Sequence, residues 1–98
     1  MRIDIKSTNF EATAAQLELV KKKVNKLEKF YDHIIDCLVF LTSDGHSAKG
    51  NEESVEIKLI VKDFTLFCKE SSNSIEQSID QAVENMTRQL KKYKQKHG

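Results

Sequence analysis

The spacing of hydrophobic residues along the chain predicts alternating strands and helices. Apolar and charged residues alternate over residues 1–6, which indicates a short strand with one apolar face. Apolar residues then recur at helical spacing from Leu17 to Tyr31. Thr13 and Gln16 have the spacing of a capping box, so we expect this helix to begin after Thr13 and to end near Tyr31.

Three further strands are predicted after the first helix. Residues 34–42 are β-branched, aromatic and apolar on both faces, as in an interior strand. Residues 55–61 alternate between apolar and charged, and a turn at residues 62–63 would join them to a strand over residues 64–69 as a hairpin. Both glycines of the chain's interior fall within residues 43–53, which we expect to form the one flexible loop.

The last predicted element is a long helix. Ser74 and Gln77 form a second capping-box pattern, and an apolar stripe runs from Ile75 to Leu90, with Tyr93 at its end. The order of elements is therefore β-α-β-β-β-α. We expect one α+β domain over residues 1–98, in which both helices pack on one face of a four-stranded sheet.

The face of the sheet away from the helices has two possible roles. Phe40, Ile60 and Phe67 can all lie there. They would form either an apolar contact surface for a partner or a second copy, or a patch that loops and neighbouring side chains partly bury. Asp36, inside the interior strand, is expected to point to solvent rather than to act as a general base.

The cysteines and the apolar segments limit the class of protein. Cys37 and Cys68 lie within apolar strand patterns, so we expect buried, reduced thiols in a cytoplasmic protein and no disulfide framework. The N-terminus has no apolar signal region, and Asp36 interrupts the longest apolar stretch. We therefore expect neither a secretory signal nor a membrane span.

Charge is distributed unevenly, although the 98 residues carry a net charge of only +1. Residues 21–29 and 88–96 together hold ten basic residues and one acid, a net charge of +9. The remaining 80 residues hold six basic and 14 acidic residues, a net charge of −8. The near-neutral total therefore does not exclude a nucleic-acid partner.

Helical geometry places many of these cations away from the predicted core. The cations that fall opposite the apolar stripes, at about 100° per residue, are Lys22, Lys26 and Lys29 in the first helix and Arg88, Lys91 and Lys92 in the second. If the helices lie side by side, the two rows merge into a single basic surface. One such cluster is most simply a solvated face that complements the helix dipole. Two clusters favour a surface that binds regularly spaced phosphates.

The same residues indicate how RNA would be recognised. The sequence has no aromatic-rich RNA-binding strand and no GXXG loop, which are the usual means of reading bases. We therefore expect recognition of the shape and backbone of folded RNA, with an affinity that falls as salt rises.

No sequence pattern points to catalysis. His33, His46 and His97 are scattered, and their spacing to one another or to the cysteines does not resemble a metal site. There is no phosphate-binding glycine loop and no nucleophile elbow. We therefore expect no enzymatic activity, no cofactor, no metal and no small-molecule substrate.

Two segments resemble a known family. Residues 26–34 (KLEKFYDHI) and 88–94 (RQLKKYK), together with the order of elements, resemble the ribosome hibernation-promoting factors, the family that includes the ribosome-associated inhibitor protein Y. The similarity covers nearly the whole chain, including Thr13 before the first helix and Ile79 and Asp80 in the second.

This resemblance implies a cytoplasmic bacterial or organellar stress protein whose fold is similar to double-stranded RNA-binding domains. Such proteins bind the small ribosomal subunit in the channel for messenger and transfer RNA, which inhibits translation and preserves inactive ribosomes. The length of the chain implies the short form, which promotes ribosome dimers together with a separate modulation factor.

The resemblance also implies a set of contacts with ribosomal RNA. On the family pattern these are Lys23, Lys26, Arg88, Lys92, Lys94 and Lys96. The geometry of the helix faces adds Lys22, Lys29 and Lys91. The alternative function is a protein-interaction module, in which the basic helix face meets an acidic protein and the uncovered sheet face forms a dimer.

The chain departs from the family pattern where the second helix begins. Family members usually have Asp-Met-Tyr there, and this chain has Ser74, Ile75 and Glu76. Ser74 still supplies a cap and Ile75 an apolar anchor, so the departure removes an aromatic contact and leaves the predicted fold unchanged.

Overall fold

Residues 1–47 and 50–97 form four strands and two helices in the predicted order. A computed structural model describes residues 1–47 and 50–97, with side chains for residues 1–43 and 52–96. The elements are β1 (Arg2–Thr8), α1 (Ala14–Asn25), β2 (Ile34–Ser47), β3 (Gly50–Val61), β4 (Phe64–Ser72) and α2 (Ile75–His97). A short 3₁₀ segment, Lys26–Lys29, continues α1. The predicted α+β class is confirmed.

The four strands form one sheet in the order β1-β2-β3-β4. The two hairpins make β2, β3 and β4 antiparallel, whereas β1 runs parallel to β2. A parallel pair needs a crossover connection, and α1 provides it. Ile3 lies opposite Cys37 and Ile5 opposite Val39, which places the apolar side of β1 on the face that the helices cover.

The prediction of a loop over residues 43–53 is wrong, because the loop is shorter than predicted. The pairing of β2 with β3 continues beyond residue 42 through Ser43 with Glu53 and Asp44 with Glu52. Backbone hydrogen bonds between the strands need no apolar side chains, so a polar hairpin extension carries no hydrophobic signal. The remainder of the predicted loop, residues 48–49, lies outside the described residues.

The first helix begins as predicted and changes form before its predicted end. Gln16 N donates to Thr13 Oγ1 at 3.1 Å and Thr13 N donates to Gln16 Oε1 at 3.0 Å, a complete capping box. The α-helical part ends at Asn25, and the 3₁₀ segment follows. Fully buried Leu27 fits the apolar stripe in either geometry, which is why its spacing did not reveal the change.

Only half of the second predicted capping box forms. Gln77 N donates to Ser74 Oγ at 3.1 Å, but Ser74 N donates to Ser72 Oγ at 3.3 Å. The cap belongs to a hydroxyl cluster in which Ser78 Oγ donates to the Glu53 carbonyl oxygen at 2.6 Å. Ser78 and Ile75 are both fully buried, so the start of α2 is anchored to the sheet by polar and apolar contacts together.

The core lies between the sheet and the two helices. Its buried members come from every element except β1 and include Val20, Leu41, Ile57, Cys68 and Met86. Cys37 and Cys68 are buried free thiols, as predicted. Burial raises the pKa of Cys37 to about 12 and that of Cys68 to about 11. In the described part of the chain, neither helix has the length and apolar character to cross a bilayer.

The uncovered sheet face is a mixture of apolar and charged side chains. Phe67 is 55 % exposed there, whereas Phe40 and Ile60 are half-buried. Asp36 also lies on this face, where its Oδ1 atom is 3.8 Å from Arg2 Nε. Its predicted orientation toward solvent is confirmed, because the half-exposed carboxylate pairs with an exposed guanidinium.

Candidate nucleic-acid interface

The two helices lie side by side and parallel. Lys23 Nζ is 2.9 Å from Asp80 Oδ1, and further along both helices Lys91 Nζ lies 5.3 Å from the centroid of the Phe30 ring. Because these contacts advance together along the two segments, the C-terminal ends of both lie at the same end of the molecule. We call residues 26–30 and 91–96 together the basic end.

The lysines of the first segment point outward as predicted. Lys22, Lys26 and Lys29 are exposed, and the stripe opposite them is fully buried at Val20 and Val24. Within the described residues none of the three lysines forms an ion pair. Their charges are therefore not neutralised by the fold.

Lys23 has a different environment. Its side chain is 28 % exposed and reaches across to Asp80, which joins α1 to α2. In the sequence, Lys23 is one member of a uniform row of lysines. In the structure, its ion pair with Asp80 also helps to hold the two helices together.

Arg88 on α2 is also paired. Its Nη1 atom lies 3.2 Å from Glu84 Oε1, one helical turn earlier. Asp80 and Glu84 both lie in the first half of α2, before residues 88–96, which contain no acid. The surface of the helices around Lys23 and Arg88 is therefore less positive than the net charge of residues 21–29 and 88–96 indicates.

The cations of α2 do not form one row. Lys91 approaches the Phe30 ring, whereas Lys92 and Lys96 line a groove of about 370 Å³ beside β4, together with Leu66. Consecutive helical residues are rotated by about 100°, so neighbouring lysines are directed to different sides of the helix. The predicted single surface is thus a band that wraps around the end of α2.

Aromatic rings lie together at the basic end, a cluster that the sequence pattern did not predict. The centroids of Tyr31 and Tyr93 are 5.5 Å apart in an edge-to-face arrangement, and Phe64 stacks on Tyr93 at 5.6 Å. Partial burial, with smaller effects of Tyr31 and Asp63, raises the pKa of Tyr93. The available signal was that each apolar stripe ends in a tyrosine, and the parallel helices bring those two ends together.

The rings border a groove of about 770 Å³ that we call the aromatic groove. Its lining includes Tyr31, Ile35, Lys62, Asp63, Phe64 and Tyr93. Ile35 is 53 % exposed because the register of β2 against β3 shifts between Ile34 and Asp36, which leaves Ile35 as the extra residue of a bulge. In the described part of the chain, no three His, Cys, Asp or Glu side chains converge as metal ligands would.

The chain is similar to curated proteins named ribosome hibernation promotion factor. The chain is 30% identical over 96 residues to the ribosome hibernation promotion factor of Bacillus subtilis, matching 98% of this chain and 50% of the relative. It is 29% identical to the protein of the same name from Lactococcus lactis, over 96% of this chain and 50% of that one. The chain thus spans about half the length of the curated relatives it matches.

Solved structures show the same fold. A ribosomal subunit interface protein from Coxiella burnetii superposes with a TM-score of 0.85 and 19% identity, covering 96% of this chain and 98% of that one. The N-terminal domain of Thermus thermophilus Protein Y superposes with a TM-score of 0.80 and 24% identity, covering 95% and 99%.

The family comparison agrees with the curated relatives and with the solved structures. The model of the family described as Sigma 54 modulation protein / S30EA ribosomal protein matches residues 3–98, almost the entire chain. The resemblance drawn from residues 26–34 and 88–94 is confirmed, and this chain belongs to the Sigma 54 modulation protein / S30EA ribosomal protein family.

Proposed function

We propose that this chain is a ribosome hibernation factor that binds the small ribosomal subunit near the decoding region, in the channel for messenger and transfer RNA. Bound there, it inhibits translation and preserves inactive ribosomes in the cytoplasm. The relatives named ribosome hibernation promotion factor support the ribosome as partner. In this proposal the protein acts by occupying the channel and catalyses no reaction.

The observation that carries the proposal is the supply of unneutralised cations at the basic end. Six lysines lie there with no ion-pair partner among the described residues: Lys26, Lys29, Lys91, Lys92, Lys94 and Lys96. Such a cluster weakens the helices by like-charge repulsion, so stability alone does not account for it. It suits the phosphates of folded ribosomal RNA, which release counterions when lysines replace them.

The remaining members of the RNA-binding set have supporting positions in this proposal. Lys22 is exposed beside the basic end. Lys23 and Arg88 have carboxylate partners at 2.9 and 3.2 Å, and both would exchange these for phosphates on binding. Promotion of ribosome dimers with a separate modulation factor belongs to the same proposal and makes no demand on these residues.

The test is co-sedimentation of the purified protein with small ribosomal subunits over a range of salt concentrations. If about six phosphates are neutralised, the slope of log affinity against log salt is about −4 to −5. Binding that is absent, or that does not change with salt, would contradict the proposal. Adding the modulation factor to whole ribosomes in the same gradients reports dimers directly.

A pair of charge-reversal variants locates the surface. Lys26→Glu with Lys92→Glu should weaken subunit binding by about 100-fold or more and leave thermal unfolding almost unchanged, since both side chains are exposed. Lys6→Glu with Lys58→Glu is the matched control, because it changes the net charge equally on the uncovered sheet face. Equal losses in the two variants would mean that overall charge, and not the basic end, governs binding.

One observation favours the alternative of a protein-interaction module. Phe67 is 55 % exposed on the uncovered sheet face, where the half-buried Phe40 and Ile60 also lie. Partners that remain in a pull-down after nuclease treatment, and that are lost on Phe67→Ser, would support it.

A further inference from the structure

We propose that the aromatic groove binds one unstacked base of a single-stranded RNA, while Lys92 and Lys96 contact the neighbouring phosphates. This goes beyond the proposed function, because recognition of folded RNA by its backbone needs no site for a base. The inference rests on the shape of the groove, the arrangement of its rings and the separation of charge around it.

The groove is large enough to admit a nucleobase, and its lining offers the surface to bind one. Its volume of about 770 Å³ lies within the range of roughly 300–1,000 Å³ that is typical of small-molecule sites. Phe64 and Ile35 are each 53 % exposed in its lining, so apolar surface is available for a planar ligand. Bases that have left a helical stack are commonly bound on aromatic side chains in this way.

The stacked pair of Phe64 and Tyr93 divides two chemically different spaces. Both rings line the aromatic groove on one side and the smaller groove of about 370 Å³ on the other. The smaller groove carries Lys92 and Lys96. A single-stranded RNA that crosses the pair of rings can therefore place a base in the aromatic groove and its phosphates in the smaller groove.

The charges specify which part of the nucleotide lies on which side. The aromatic groove carries both Lys62 and Asp63, so the two charges offset each other there, and the Asp63 carboxylate can accept a hydrogen bond from an exocyclic amino group. No acidic side chain lines the smaller groove in the described part of the chain. This separation complements a nucleotide better than an apolar peptide, which has no use for the lysines.

The two exposed phenylalanines of β4 offer a matched pair of variants. Phe64 lies in the aromatic groove and Phe67 on the opposite face of the sheet, and their exposed fractions are 53 % and 55 %. The ligands are a labelled single-stranded RNA and a labelled RNA hairpin duplex with the same number of phosphates. Fluorescence anisotropy at one fixed salt concentration gives the affinity for each.

We expect Phe64→Ala to weaken binding of the single strand about tenfold and binding of the duplex less than twofold. Phe67→Ala should change neither affinity by more than about twofold. Phe64→Leu keeps an apolar side chain without an aromatic face, so it should show the same selective loss even if the alanine variant unfolds. An abasic position in the strand should weaken binding of the wild-type protein but not further weaken binding of Phe64→Leu.

Three results would overturn the inference: no measurable binding of the single strand, equal losses for strand and duplex, or equal effects of Phe64→Ala and Phe67→Ala. The last would favour an apolar peptide as occupant if Phe64→Ala also reduced capture of a protein. Failure of the inference is distinguishable from failure of the proposed function. If subunit binding depends on salt but is unchanged by Phe64→Leu, the proposed function is supported and the base-binding site is not. If the Phe64 variants selectively lose the single strand but the protein does not bind subunits, the base-binding site is supported and the proposed function is not.

Discussion

The two ends of α2 use polar side chains in opposite ways. At the start of the helix, fully buried Ser78 donates to the Glu53 carbonyl oxygen at 2.6 Å, and its Oγ lies 2.7 Å from Ser72 Oγ. We call this group the hydroxyl end. At the basic end, the lysines are exposed and have no ion-pair partners among the described residues.

This difference separates stability from binding along a single helix. The hydrogen-bonding groups of the hydroxyl end are already satisfied within the fold, so they contribute to the free energy of unfolding and have little left to offer a ligand. The lysines of the basic end contribute little to that free energy and keep their capacity to bind phosphates. Substitutions at the two ends should therefore change different measurements.

The largest expected effect comes from Leu27→Ala, which tests whether the basic end depends on its support. Leu27 is fully buried, and its carbonyl oxygen accepts from Phe30 N at 3.0 Å and from Tyr31 N at 3.3 Å. We expect a loss of about 2–5 kcal/mol in the free energy of unfolding, measured by urea denaturation. RNA affinity should also fall, since the 3₁₀ segment that carries two lysines loses its anchor. Val20→Ala, in the same core but away from this segment, should reduce stability alone.

Ser78→Ala is the corresponding test at the hydroxyl end. It leaves the Glu53 carbonyl oxygen without its buried donor, which should cost about 1–3 kcal/mol in urea denaturation. Subunit binding should be unchanged at temperatures where the variant is folded. Ser71→Ala removes an exposed hydroxyl pair with Ser54 and should cost less than about 0.5 kcal/mol. A loss of RNA affinity in Ser78→Ala would break the separation between the two ends.

Asp80→Asn should extend the basic end toward the start of the helix. The carboxylate is 59 % exposed, so the loss of its ion pair with Lys23 should lower stability by less than about 1 kcal/mol. Lys23 would then be free for phosphate, and we expect RNA affinity to rise a few-fold with a salt slope steeper by about 1. Glu76→Gln makes the same change of charge at an exposed site with no ion pair in the described chain, and any equal gain there would indicate a general charge effect.

The smallest expected change in the free energy of unfolding near neutral pH comes from Cys37, a buried thiol of the core. Burial, followed by the mutual repulsion of the two thiolates, raises the pKa of Cys37 from 9.0 to about 12. The unfolded thiol therefore releases its proton at a lower pH than the folded one. The contribution of Cys37 to stability should be constant up to about pH 9 and be lost between about pH 9 and 12. Urea denaturation across this range should show a weaker decline in Cys37→Ala, and an equal decline would assign it to other groups.

The sequence was sufficient for the elements that carry strong periodicity. The stripe of α2 is buried at Ile75, Ile79, Met86 and Leu90, because burial of one helix face is what produces that spacing. Local capping chemistry also identified Thr13 correctly. Both signals depend only on residues close together in the chain.

What the sequence did not reveal depends on residues far apart in the chain. The ion pair of Lys23 with Asp80 and the stack of Phe64 on Tyr93 arise only once α1, β4 and α2 are placed beside one another. The polar hairpin extension was missed for another reason, since its backbone pairing needs no hydrophobic pattern. Exposure of individual lysines was predictable, but the neighbours of each, such as the Phe30 ring beside Lys91, were not.

The parallel pairing of β1 with β2 has a consequence for the order of folding. Each pair joins residues 34 positions apart, as in Arg2 with Asp36, whereas the two hairpins close from pairs three positions apart, Ser47 with Gly50 and Val61 with Phe64. Hairpins close from their turns within microseconds, but β1 must wait until the intervening segment, including α1, has been drawn together. We therefore expect β1, the first of these four strands along the chain, to be the last to join the sheet.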